Sequence, residues 1–122
     1  MVDLEPNEAR LLLNIALLAV GRNRFQSAET ILAALERFRP GDVQLASARV
    51  VMMMSARDFA GAVEYIDRVG LVKHPDSAML LAFKGMAYLR MDRSDKAEEP
   101  LKLAANQTDD PAAAQLARDL LK

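Results

Sequence analysis

His74 is the one histidine of the chain, and no cysteine accompanies it. An imidazole serves as a general base or a metal ligand. A base needs a nucleophile and an orienting partner, and a zinc site needs three or four donors gathered together. His74 instead stands beside Pro75 at a break in the helical pattern, and reads as a loop residue. Asp109-Asp110 pairs two carboxylates, but it directly precedes Pro111. A helix N-terminus, where the backbone dipole favours negative charge, accounts for such a pair. The five glycines are scattered and form no phosphate-cradling loop. Serines are present without a marked base. No catalytic residue, metal site or cofactor is expected, and the chain does not read as an enzyme.

The composition points the same way. Apolar residues make up 52% and charged residues 27% of the 122 residues, as in one globular domain spanning 1–122. A formal net charge of -1, with both signs mixed along the chain, argues against nucleic acid or an anionic membrane as partner. Aromatic and basic residues are not interleaved as in single-strand binders. The start, Val2-Asp3-Leu4-Glu5-Pro6, is acidic and unlike a signal peptide. The first helix's longest apolar run, Ile15 to Val20, falls well short of the roughly 18 residues a membrane span needs. With no cysteine, a reducing, cytoplasmic setting is the expectation.

Helical spacing dominates the chain, and proline and glycine fall mostly at breaks. The pattern predicts helices over Pro6–Val20, Gln26–Phe38 and Val43–Ser55, the third capped by Asp42. A fourth runs from Phe59 or Ala60 to Val69 and closes at Gly70. A fifth covers Ala78–Met91 behind an Asp76 cap, and a sixth Asp95–Ala105 behind Ser94. A last helix covers Ala112–Leu121. Pro100 lies beyond the tolerated first turn of the sixth helix, and an interior proline costs about 3 kcal/mol. That helix is expected to kink or to begin later.

Ala28, Ala62 and Ala97 recur at intervals of 34 and 35 residues, each after a short polar turn. Such a period marks stacked helix-turn-helix units. Repeats starting at Ala9, Val43 and Ala78 put all three alanines at position 20. Leu12, Ile15, Ala16, Leu32 and Pro40 in the first repeat, and Leu81, Gly85, Tyr88, Leu101 and Ala104 in the third, then match the tetratricopeptide pattern. The chain resembles that family over roughly residues 9–111. The second repeat fits less well: Ala46, Arg49 and Val50 depart from it, as does Lys84 in the third. The resemblance implies an all-α, right-handed superhelix of three helix pairs (about 9–42, 43–77 and 78–111) with a capping helix over 112–122. The extra residue before Ala97 is expected to lie at His74-Pro75. Small residues at positions 8 and 20 let paired helices approach closely, Ala16 against Ala28 and Gly85 against Ala97.

In that family, positions 2, 5, 9 and 12 line the concave surface. Here eight of the twelve are large and apolar: Leu13, Leu17, Val20, Val51, Met54, Met79, Met86 and Leu89. They are the expected partner-binding groove. Val50-Val51-Met52-Met53-Met54 is apolar around the whole helix, so something must cover it. The occupant is either a client's amphipathic helix, suited to adaptable methionines, or the protein itself, through its N-terminal segment, its last helix or a homodimer. Only Arg10 is basic among the groove positions, which argues against clamping of acidic tails.

Length, repeat count, the Leu11-Leu12-Leu13-Asn14-Ile15-Ala16-Leu17-Leu18-Ala19 run and the apolar groove are similar to the small type III secretion chaperones of the YscG/PscG needle-subunit type. That resemblance implies a cytoplasmic bacterial chaperone holding a needle subunit's amphipathic helix, with a small co-chaperone. The alternative is a general tetratricopeptide scaffold or adaptor, or a self-associating repeat module.

Overall fold

Proline fits the first helical turn because its missing N–H would be unpaired there, and Pro6 and Pro111 open the first and last helices. The computed structural model describes residues 5–122. Its helices are α1 (Pro6–Gly21), α2 (Phe25–Phe38), α3 (Val43–Ser55), α4 (Phe59–Tyr65), a π turn (Ile66–Gly70), α5 (Leu71–Lys73), α6 (Ala78–Arg90), α7 (Ser94–Ala105) and α8 (Pro111–Leu120). No strand occurs among the described residues. The α4, π and α5 segments run on without a break, so seven helical rods alternate with short turns, an all-α fold of tetratricopeptide type.

Caps explain most of the starts. The Asp42 carboxylate accepts from the Gln44 and Leu45 amides at 2.8 and 3.2 Å. Asp58 accepts from Gly61 at 3.0 Å, and Asp110 from Ala113 at 3.1 Å. For α6 the cap is Ser77 rather than Asp76; its hydroxyl accepts from the Leu80 amide at 3.3 Å. Ser94 proves to be the first residue of α7, behind Arg93. The buried Pro100 stays inside α7, which does not begin later to avoid it.

The repeat is visible in the backbone. Asn23, Arg57 and Asp92 adopt left-handed conformations, with φ of 61, 63 and 58°, just beyond α1, α3 and α6. Their spacing matches that of the alanines five residues further on. Each amide donates three residues back, to Val20, Met54 and Leu89, at 3.0, 3.0 and 3.1 Å. Asn and Asp tolerate this conformation, whereas arginine strains in it. Arg57→Gly is therefore expected to raise stability by about 0.5–1 kcal/mol in urea titration, net of glycine's greater unfolded-state freedom. Unchanged or lower stability would show that the turn carries no strain.

The odd residue of the 35-residue interval lies in a different place from the one expected. The breaks at 39–42 and 74–77 are equally long, so His74-Pro75 absorbs nothing. The helical stretch 59–73 is one residue longer than α2, and it contains the π turn, whose i→i+5 bonding takes up one more residue per turn than an α-helix. Nor does Gly70 end the helix. It is buried with φ -62°, and a Cβ there would lie 2.9 Å from Leu80 Cδ1. Close packing against Leu80, not helix termination, is what the glycine serves.

The chain forms two compact units, residues 1–57 and 58–122, divided inside the second repeat rather than between repeats. In the first, Ala16, Val20, Ala28, Leu32, Leu35 and Met52 are among the core residues that join α1, α2 and α3. In the second, Leu81, Ala97, Leu101, Ala104, Ala113 and Ala117 help join α6, α7 and α8. Ala16, Ala28 and Ala97 are at most 1% exposed, as close helix approach requires. The tightest approach at Gly85 is to Leu101, whose Cγ would lie 2.4 Å from an added Cβ.

Candidate protein-interaction surface

Two side chains that break the tetratricopeptide pattern turn out to share one task. Arg49 and Lys84 both occupy repeat position 7. Arg49, on α3, reaches back to α2, the second helix of the preceding repeat. Its Nε donates to Glu36 at 3.1 Å, its Nη2 to Glu36 at 2.6 Å and to Glu29 at 3.2 Å, and its Nη1 to the other Glu29 oxygen. The Glu36 hydrogen bond does most to hold the guanidinium above its ordinary pKa; partial burial opposes it, and Glu29 adds support. Lys84, on α6, reaches Asp67 of the π turn with Nζ–Oδ1 2.7 Å. Arg118 falls at the same position counted into α8, and its Nη2 donates to the Ala105 carbonyl of α7 at 3.4 Å. α3, α6 and α8 are thus each fastened to the second helix of the repeat before, which a lone consensus leucine would do by packing alone.

The eight expected groove residues are not equivalent. Val20 is 4% exposed and belongs to the first unit's core, so it offers a partner nothing. Leu13 and Val51 are half-buried against that core, and Met54 is half-buried. Leu17 is exposed at 37%. In the second unit Met79 and Leu89 are half-buried against the core, and Met86 is half-buried. The apolar run 50–54 is not an open patch either: Val50 and Met52 are buried, and Val51, Met53 and Met54 are half-buried.

The most exposed aliphatic side chains of the first unit lie elsewhere. Leu11 is 61%, Ile15 43% and Leu18 67% exposed. Ile15 matches the family pattern, which predicts burial, yet position 7 buries against a preceding repeat and none precedes α1 among the described residues. The group-map of positions 2, 5, 9 and 12 missed these residues. Comparing position 7 across repeats, Ile15 against Arg49 and Lys84, singles out the middle one.

His74 ends α5, its amide donating to the Gly70 carbonyl at 2.9 Å. Among the described residues no three His, Asp or Glu side chains gather as metal ligands. Asp109 and Asp110 lead into α8, where Asp110 acts as the cap. Among the described residues no helix is long and apolar enough to cross a membrane.

Recurrent helix-turn-helix units, left-handed turns at a matching interval and ion pairs between repeats together define a tetratricopeptide-like helical-repeat protein. The family model of the coatomer epsilon subunit matches residues 2–122, and the chain belongs to that family. No curated protein matches the chain. The family match overturns the likeness to type III secretion chaperones. That likeness rested on size, repeat count and apolarity, which many helical-repeat proteins share. With it go the bacterial setting, the needle subunit and the co-chaperone, and a homodimer gains no support.

Proposed function

We propose that the chain is a non-catalytic, protein-binding scaffold that works as one subunit of a vesicle-coat-type assembly, on the cytosolic side. The family match over residues 2–122 carries this reading, since a coatomer subunit has other proteins as its partners. Partly or fully exposed aliphatic and methionine side chains support it. Leu13, Leu17, Val51 and Met54 in one unit, and Met79, Met86 and Leu89 in the other, keep apolar surface available. Covering each would contribute up to about 1.5–3 kcal/mol before association costs.

Leu17→Asp and Met86→Asp test the reading. Each should cut recovery of co-purifying partner subunits at least about tenfold, the equivalent of one lost apolar contact, while leaving the far-UV helical signal intact. Full recovery with both substitutions would remove these faces from partner binding.

A further inference from the structure

Leu11, Ile15 and Leu18 follow i, i+4, i+7 spacing and form one stripe along α1. They occupy repeat positions 3, 7 and 10. The same positions 3 and 10 are closed in the later first helices. Leu45 and Met52 of α3 are 5% and 8% exposed, and Leu80 and Ala87 of α6 are both 0%. Leu45 and Met52 share a core with α1 and α2, and Leu80 lies against Gly70. Position 7 of the same helices meets the second helix of the preceding repeat, through Arg49 to α2 and Lys84 to the π turn. The fold therefore states what kind of element covers this face.

We propose that the stripe docks an amphipathic α-helix of a partner protein, seated on α1 where a preceding repeat's second helix would lie. This rests on the reading of the chain as a protein-binding scaffold, and adds a second face to it. The chemistry of the partner follows from position 7. Inside the chain, Arg49 and Lys84 face carboxylates there, on Glu29, Glu36 and Asp67. Ile15 offers no charge, and a carboxylate opposite it would be buried unpaired at high cost. The incoming helix must present an aliphatic stripe over about two turns instead. Glu8 and Arg22 flank the stripe at opposite ends. They favour a basic residue of the partner near Glu8 and an acidic one near Arg22.

A benzophenone amino acid at Ile15 of the full chain, in its native cell, reads the occupant directly. Glu64, an exposed residue of α4 with its side chain 63% accessible, serves as the control position. The expected product joins position 15 to a different polypeptide, within a segment carrying aliphatic residues at i, i+3 or i+4, and i+7. Leu18→Arg should lower its yield about tenfold without changing the helical signal, because Leu18 is solvent-exposed. Products to a second copy, to another part of the same chain, or in equal yield from position 64 overturn the proposal. If partners co-purify but position 15 yields none, this face falls and the scaffold reading stands. If no partner co-purifies at all, both fall.

Discussion

Leu101→Ala is expected to lower the unfolding free energy by about 2–5 kcal/mol. The side chain is 1% exposed, within the core shared by α6, α7 and α8. Removing it loses burial and leaves a void that rigid helices close only in part. Gly85→Ala alone should cost about 1–3 kcal/mol, because its Cβ would sit 2.4 Å from Leu101 Cγ and 2.5 Å from Cδ2. The branch carbon cannot swing away as a chain end could. The double variant should then be more stable than the sum of the single losses predicts, since the new methyl enters space that Leu101 has vacated. Urea titration of the four proteins measures this coupling. Strict additivity would mean that the two residues do not share one contact.

Arg49→Ala is expected to cost about 1–3 kcal/mol. Its fork satisfies both carboxylates at once, and Glu29 and Glu36 stand seven residues apart along α2. The loss stays below that of a fully buried pair, because the side chains of Glu29 and Glu36 remain 45% and 32% accessible. Arg49→Lys should lose most of the same energy, since an ammonium cannot bond two carboxylates in the fork geometry. Arg49→Leu combined with Glu36→Leu should recover much of it by packing, as replacement of ion pairs by apolar residues often does. Equilibrium unfolding checks the series. An Arg49→Ala protein within about 0.5 kcal/mol of the parent would mean that the cluster contributes nothing to joining α3 to α2.

The fold was legible because its requirements reach single residues. Close helix approach admits only small side chains, so Ala28, Ala62 and Ala97 announce the repeat. The caps at Asp42 and Asp110, and the bounds of α3, follow from elementary backbone chemistry. The π turn was not legible. Ile66 to Gly70 has no composition distinct from an α-helix, and Gly70 looks like a terminator until Leu80 packs against it. The ion pairs at position 7 were visible only as departures from a pattern, because their partners lie 13 to 20 residues away in sequence. The interaction surface was read in part. Assigning faces from repeat positions placed Leu17 on the surface, but treated α1 as though a repeat stood before it. By that map Val20 faces a partner, though it is buried in the core, and the exposed Leu11, Ile15 and Leu18 do not. The likeness to secretion chaperones failed because size and apolarity constrain a fold more tightly than they constrain a partner.

Arrays of interchangeable units have no inherent reading order, since any unit fits behind any other. In this chain charge supplies one. Arg49 demands two glutamates behind it, Lys84 a single aspartate, and Ile15 no anion at all. Exchanging α3 with α6 would set a guanidinium fork against one carboxylate and leave a second carboxylate beside a lone ammonium. The sequence of units is thus written into their electrostatics.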